Sequence, residues 1–361
     1  MTHGCLKRTQ AGSWIDFFQE GFTLGKSMKR IVISLFFVSL GTFFLSAQDT
    51  PQQLRLGMIG LDTSHVIAFT RILNDTSMAD HVPGGKVIAA YKGGSDDVES
   101  SYTRVDKFTE QLSNEFGVEI LDSIENLCGK VDAVLLESVD GRPHLEQARI
   151  VIKAGKPLFI DKPMAGSLRD VIQIFKLAGE NKVPCFSSSS LRYYESLQEL
   201  KSEEIGELKG AISYGPCSLE SHHPDLFWYG VHPTEALFSV MGIGCQSVSR
   251  TFTEHTDVVS GIWNNGNTGL VYGLRTGHAR YKVTTFGTKG IAEQNGGGNY
   301  VPLVREIMNF FKTGTPPVSA RETVELFAFM EGADISKSKG GCEVNIPQLI
   351  KSNGGGWLLE D

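Results

Sequence analysis

The sequence predicts an α/β chain: a Rossmann-like, doubly wound parallel sheet, then an α+β domain with an open, mainly antiparallel sheet. Three observations carry this. From Gln48, short apolar runs alternate with amphipathic stretches, the pattern of strands and helices in a parallel sheet. The run VDAVLL, Val131 to Leu136, has no polar face beyond Asp132, as expected of a strand covered by helices on both sides. After about Arg192 the alternation stops, and longer strand-like runs follow one another.

In order, LRLGMIG reads as the first strand and His65 to Leu73 as a helix. VIAAY, Val87 to Tyr91, is a second strand, and Arg104 to Phe116 a helix. Val131 to Leu136 is a strand, Pro143 to Ala154 a helix, PLFI a strand and Leu168 to Gly179 a helix. PCFS begins a further strand. Past Arg192, a helix covers Tyr194 to Leu200. The runs LKGAISYGP, SVSRTFTE, DVVSGIWNN, TGLVYGLRT and ARYKVTTFG then read as strands. Helices are interposed at Glu235 to Met241, Val304 to Phe311 and Glu322 to Ser336. The boundaries that follow are 48–190 for the nucleotide-type domain, 191–345 for a substrate or oligomerisation domain and 346–361 for a C-terminal tail.

The chain has 361 residues, 41% hydrophobic and 21% charged, with a formal net charge of -7. That is globular composition with length for about two domains. Without a long basic run, nucleic acid is not an expected partner. Met28-Lys29-Arg30, the apolar run Ile31 to Leu45 and the small-residue exit SAQ form a secretory signal. The apolar run is shorter than the ~18–20 residues of a bilayer span. An uncleaved membrane anchor is the alternative. Cleavage is expected near Ala47, Met28 is the expected initiator, and residues 1–27 read as an upstream leader. The expectation is Sec-type export, to a bacterial periplasm. The six cysteines form no C-x-x-C pair, so spacing supports neither zinc nor a disulfide framework. Buried free thiols are expected, and export leaves one or two disulfides open.

Three local features carry chemistry. GLDTSHV, Gly60 to Val66, is a turn between strand and helix, where a dinucleotide-binding protein carries G-x-G-x-x-G. AGKPLFIDKPMAGS ends a strand in Asp161-Lys162-Pro163. WYGVHPTEAL places His232 and Glu235 three apart on an emerging helix. Taken alone, Lys162 is by default a solvated lysine, and His232 is as readily a core histidine bonded to backbone. Yet a lysine just past a parallel strand's carboxyl end lies in the crevice where such sheets bind ligands. It could stabilise a developing alkoxide while a histidine accepts the proton. A carboxylate beside the histidine would fix its tautomer.

The order and spacing of these features, over Leu54 to about Lys339, resemble the Gfo/Idh/MocA superfamily, named for glucose–fructose oxidoreductase and inositol dehydrogenase. AGKPLFIDKPMA is similar to that family's A-G-K-x-V-x-x-E-K-P-x-A. VLLESVDGRPHLEQA is similar to its V-x-x-x-P-x-x-x-H segment, with His144 at the family histidine and Asp140 where the proline would be. The resemblance implies that Lys162 contacts both the substrate hydroxyl and the nicotinamide end of the cofactor. It implies that His232 is the general acid/base, in a segment where Trp228 replaces the family's first acid and Glu235 its last. Arg192 and Tyr194 fall where substrate contacts are common. Trp228 and Tyr229 could stack on a sugar ring or fill the core.

The turn itself is irregular. Gly60 is the first glycine, but Asp62 holds the second position and His65 the third. A carboxylate about 4 Å from a phosphate would be repelled by on the order of 4 kcal/mol at an effective dielectric near 20. Asp62 or Thr63 could instead cap the helix, while Thr63, Ser64 and the backbone amides still reach a phosphate. The expected cofactor contacts are Gly60, Asp62, Thr63, Ser64, His65, His144, Asp161 and Lys162. The second strand ends in Tyr91-Lys92-Gly93-Gly94-Ser95, without an acid for the ribose hydroxyls. Lys92 and Ser95 could receive a 2′-phosphate or lie in a solvated loop, so NAD and NADP both stand. SHHPD, with His222, His223 and Asp225, reads as a loop at the substrate site, and no metal is expected.

The function implied is an exported NAD(P)-dependent oxidoreductase acting on a sugar or polyol, with Lys162, His232 and Glu235 catalytic. One alternative is glycoside hydrolysis through transient oxidation by held NAD. Another is a non-catalytic carbohydrate-binding protein on a degenerate oxidoreductase fold. A homodimer through the C-terminal sheet is the expected assembly.

Overall fold

The computed structural model describes residues 53–360. The predicted signal segment and upstream leader lie outside the described residues. The first domain runs β1 (Leu54–Ile59), α1 (Ser64–Asn74), β2 (Gly85–Tyr91), α2 (Glu99–Tyr102), α3 (Val105–Phe116), β3 (Glu119–Leu121), α4 (Ile124–Lys130), β4 (Ala133–Leu136), α5 (His144–Lys153), β5 (Leu158–Ile160), α6 (Leu168–Asn181) and β6 (Cys185–Ser187). The six strands are parallel in the order β3-β2-β1-β4-β5-β6. The order reverses between β1 and β4, so the crevice at their carboxyl ends is the topological switch point. β3 and α4 were not predicted. EIL is too short for a period to show, and α4 has seven residues.

The second domain follows with α7 (Glu195–Ser202), β7 (Leu208–Pro216), a wide turn at Leu226–Gly230, α8 (Val231–Met241), β8 (Cys245–Phe252), β9 (Thr256–Trp263), β10 (Thr268–Leu274), β11 (Lys282–Gly287), β12 (Ile291–Glu293), α9 (Val301–Thr313), α10 (Ala320–Ser338), β13 (Val344–Asn345) and α11 (Ile346–Ser352). Its seven strands lie in the order β12-β11-β7-β10-β9-β8-β13. Every neighbouring pair is antiparallel except β10 with β7, which makes the sheet mixed.

Two departures from the predicted boundaries have packing reasons. α9 lies in the second half of the chain but completes the first domain. Leu303, Val304, Ile307 and Phe310 join Leu56, Met58 and Phe69 in one buried cluster, and Phe310 meets Phe186 edge-on at 4.7 Å. Without it, that face of the parallel sheet would stay open to water. Residues 346–361, expected as a tail, begin with a helix whose Ile346 and Ile350 are buried. Asn345 caps it by accepting the amide of Gln348 at 2.8 Å, and a proline stands in its first turn. These are helix-start signals that the apolar pattern did not show. The thiols of Cys128, Cys185, Cys217 and Cys245 are free and buried, as expected; Cys342 is free and exposed.

The turn after β1 is tight because β4's following loop lies against it. Gly60 has φ +82, and a Cβ there would stand 2.2 Å from Ser138 Oγ and 2.5 Å from the Ser138 backbone nitrogen. The amides of Gly60 and Leu61 bond to the carbonyls of Tyr91 (3.0 Å) and Lys92 (2.8 Å). Left-handed strain and overpacking add at this position. Gly60→Ala is therefore expected to destabilise the protein by about 2–4 kcal/mol in urea unfolding. A loss within 0.5 kcal/mol would show that the close approach is not a constraint.

Candidate active site at the switch-point crevice

A cavity of about 280 Å³ opens where the first domain's carboxyl-end loops meet α8 and the second sheet. This is close to the lower bound of small-molecule sites. The first domain supplies Thr63, Ser64, His65, Ser100, Arg104, Val139, Lys162 and Pro163 to its wall. Later segments supply Tyr194, Trp228, Tyr229, His232, Tyr281 and Tyr300 among others. Lys162 and Arg104 give it positive charge, and among the described residues no carboxylate lines it.

The turn GLDTSHV divides its side chains between two sides. Thr63 caps α1, its hydroxyl accepting the amide of His65 at 3.4 Å, and Thr63 and Ser64 face the cavity. Asp62 was expected against phosphate or as the cap. It is instead fully buried and accepts from Ser101 Oγ at 2.6 Å and from the amide of Val139 at 2.9 Å. Burial raises its carboxyl, and these two bonds work against the rise. Its charge is thus directed away from the cavity wall, and the repulsion considered for a phosphate does not arise.

His65 lies over the carboxyl end of β5. Its Nδ1 is 2.7 Å from Asp161 Oδ2, and the ring is stacked on Phe69 at 5.3 Å and met by Tyr300 at 4.7 Å. Nε2 has no hydrogen-bond partner among the described residues, and the ring lines the cavity. Burial would raise the Asp161 carboxyl, but His65 and Lys162 outweigh it and bring it down to about 2. Lys162 Nζ is 3.9 Å from Asp161 Oδ2. Asp161 thus supports two cavity side chains from beneath and does not line the wall itself.

His232 sits in the first turn of α8, its Nδ1 2.8 Å from Ser189 Oγ and its ring between Tyr229 (5.8 Å) and Tyr281 (5.5 Å). Burial pushes its pKa well below the usual value, and Lys162 and His65 push it further. The imidazole is therefore neutral. Glu235 is not its partner, contrary to expectation. Glu235 accepts from Ser188 Oγ at 2.7 Å and Arg192 Nε at 2.6 Å, and Arg192 also pairs with Glu322 at 2.6 Å. The two residues share a helix face, but Ser188 and Arg192 claim the Glu235 carboxylate, so Ser189 takes the orienting role. Arg192 is likewise withdrawn from the cavity by its two carboxylates. Tyr194, Trp228 and Tyr229 line it as expected.

His144 was expected at the cofactor but is buried between the carbonyls of Ser138 (3.0 Å) and Met164 (3.1 Å), where it ties two loops together. SHHPD does not converge. His223 Nε2 bonds Asp140 at 2.8 Å, His222 pairs with Glu220 at 2.8 Å, and Asp225 pairs with Arg250 and Lys337. Lys92 is paired with Asp106 at 2.6 Å and Ser95 donates to Asp140 at 2.6 Å, so both groups offered to a 2′-phosphate are engaged. The sequence reading missed Ser100, Arg104, Ser189, Tyr281 and Tyr300. Ser189 had a visible signal: it directly follows a parallel strand's carboxyl end.

The comparisons agree with this fold. Residues 55–189 match the family model described as oxidoreductase family, NAD-binding Rossmann fold, Gfo/Idh/MocA. This domain belongs to the Gfo/Idh/MocA family. A probable dehydrogenase from Thermotoga maritima superposes with a TM-score of 0.67 at 19% identity, covering 82% of this chain and 100% of its own. The myo-inositol 2-dehydrogenase of Lactobacillus plantarum gives 0.68 at 16%, over 81% and 99%. The scyllo-inositol dehydrogenase of Lactobacillus casei, solved with NAD(H) and scyllo-inositol, gives 0.67 at 14%, over 82% and 99%. At these identities the likeness shows the fold. No curated protein matches the sequence.

The neutral, buried His232 makes a pH prediction. The unfolded chain takes up a proton at this residue near the ordinary histidine value of 6.5, and the folded chain does not. Its contribution is complete above that value and is lost as pH falls through it toward the folded pKa. Unfolding free energy should therefore fall below pH 6.5, by up to about 1.4 kcal/mol per pH unit from this group. Urea unfolding of His232→Gln across pH 5–8 should show a shallower slope than the parent; an equal slope contradicts the assignment.

Proposed function

We propose that the protein is an NAD-dependent oxidoreductase that moves a hydride between a carbon of a sugar or polyol and nicotinamide. The observation that carries this is the convergence of Lys162 and His232, from two domains, on one cavity walled by Tyr194, Trp228, Tyr229, Tyr281 and Tyr300. The residues fit the cofactor's charge. Thr63 and Ser64 present the N-terminus of α1, Arg104 supplies a cation, and the buried Ser100 Oγ has no partner among the described residues. A helix N-terminus with a nearby cation and a free hydroxyl suits a pyrophosphate. Lys162 and Tyr300, also on the cavity wall, would hold the nicotinamide end. The engagement of Lys92 and Ser95 favours NAD over NADP.

When bound, the nicotinamide supplies the hydride acceptor. His232 Nε2 takes the substrate hydroxyl's proton, because burial keeps the ring neutral and Ser189 holds Nδ1. The Lys162 ammonium faces the oxygen on which negative charge develops and stabilises it. Trp228, 8% exposed, and Tyr229, 42% exposed, offer faces to a sugar ring and exclude water from one side. Export from the cytoplasm through the Met28 signal is part of the same reading.

Calorimetric titration of Gln48–Asp361 with NAD and NADP should show tighter binding of NAD. A screen of sugars and inositols should then yield NADH with at least one. Lys162→Ala and His232→Ala should each lower kcat by about 10²–10⁴ while NAD binding is retained. Absence of binding by a folded sample would leave the carbohydrate-binding reading in its place.

We further propose a homodimer through the outer face of the second sheet. Tyr214, Tyr272 and Val258 lie side by side across β7, β10 and β9, and Tyr272 and Ile262 are 40% and 46% exposed. An outward apolar row on a sheet this wide suits a second copy of itself. Light scattering should give twice the chain mass, and Tyr272→Glu should give monomers; a monomeric parent refutes the assembly.

A further inference from the structure

Two irregularities of the sequence have no part in the reaction above: His65 in place of the third glycine, and Glu137 just after β4. Glu137 is fully buried, yet neither carboxylate oxygen has a hydrogen-bond partner. Oδ1 of Asp161, also buried, is in the same condition. Such orphaned atoms are rare in native interiors and call for an unseen partner. Donor atoms of His65, Glu137 and Asp161, one from each, all lie within 4.8 Å of one another. His65 and Lys162 both meet Asp161, at 2.7 and 3.9 Å, and neither bonds to Glu137.

We propose that His65, Glu137 and Asp161 bind one divalent ion of the Zn²⁺ or Mn²⁺ class beneath the floor of the cavity. One imidazole nitrogen and two carboxylates are a ligand set for these ions. Magnesium favours an all-oxygen shell with several waters, and copper(I) favours sulfur, which this cluster lacks. The ion takes the place of the proton between His65 Nδ1 and Asp161 Oδ2. Those atoms, now 2.7 Å apart, separate to about 3.4 Å so that each stands about 2.0–2.2 Å from the metal in a tetrahedral shell. The orphaned carboxyl of Glu137 then gains a partner. Phe69 and Tyr300 already fix the His65 ring. His65 and Lys162 both line the cavity, which gives the ion its entry path. Three protein ligands leave room for a water. The ligands come from α1 and from the ends of β4 and β5, so the ion would clamp the switch point itself.

The test uses chelator-stripped, untagged Gln48–Asp361 titrated calorimetrically with Zn²⁺, Mn²⁺ and Mg²⁺, in two buffers of different ionisation enthalpy. Zn²⁺ or Mn²⁺ should bind at one ion per chain with proton release, and Mg²⁺ far more weakly. The bound ion should raise the melting temperature of the parent but not of Glu137→Gln or His65→Asn. Should both variants fail to fold, electron paramagnetic resonance of the Mn²⁺-loaded parent decides, with one nitrogen and carboxylate ligands expected. Absence of binding overturns the proposal, as does binding that both folded variants retain, which would place the ion elsewhere. So does an infrared carboxylic-acid band that Glu137→Gln removes and metal leaves unchanged, because a proton then balances Glu137. None of these readouts depends on NAD or on turnover.

Discussion

The buried carboxylate of Asp62 organises the carboxyl end of the first sheet. It accepts Ser101 Oγ and the amide of Val139, drawing the segment after β2 and the segment after β4 onto the turn after β1. Ser101 Oγ in turn accepts the amide of Ser95, whose hydroxyl donates to Asp140. Asp140 also receives Arg142 and His223, and Arg142 reaches Asp97. One polar chain thus runs from the heart of the nucleotide fold to a loop of the second domain. A buried acid of this kind is tolerable because its oxygens are met by donors. Its hydrogen bonds also explain why the turn dispenses with a second glycine: the inward carboxylate leaves Thr63 and Ser64 free to face the cavity.

The second domain is secured by a different device with the same logic. Glu235, Arg192 and Glu322 pair in the interior, with Ser188 as a further donor. This fixes α8 against the segment after β6, and so fixes His232 opposite Lys162. A carboxylate three residues from a histidine looks like a tautomer-setting partner in a sequence. That spacing makes the two side chains neighbours on a helix, yet stronger partners elsewhere separate them, and here each is claimed by a different serine.

Much of the fold was legible because it rests on period and alternation. The strands of the parallel sheet, the change of pattern near Arg192 and most helices follow from apolar spacing. What was illegible depended on contacts distant in sequence. α9 reads as an ordinary amphipathic helix, and nothing local says that Phe310 belongs with Phe186. Within the site, Lys162, His232, Thr63, Ser64, Tyr194, Trp228 and Tyr229 were legible, since motif and strand end mark them. Glu235, Arg192, His144 and Asp62 were misplaced for one shared reason. Each is a polar residue near a motif, and spacing alone cannot tell a group that faces a ligand from one that holds up the group that does.

The two imidazoles of the cavity show how environment separates like groups. His232 has a hydroxyl partner, aromatic neighbours and a nearby lysine, so it stays neutral and suits proton acceptance. His65 has the Asp161 carboxylate at Nδ1 and a second, unpartnered carboxyl, that of Glu137, close by, which suits it to hold a partner in place. Opposed environments around paired titratable groups separate their tasks. Local rules fail at Asp62, His65 and Glu137, within one strand-end layer. Departures concentrated at the carboxyl ends of two adjacent strands, where this fold binds ligands, are what a functional constraint produces and what neutral decay of a binding loop does not.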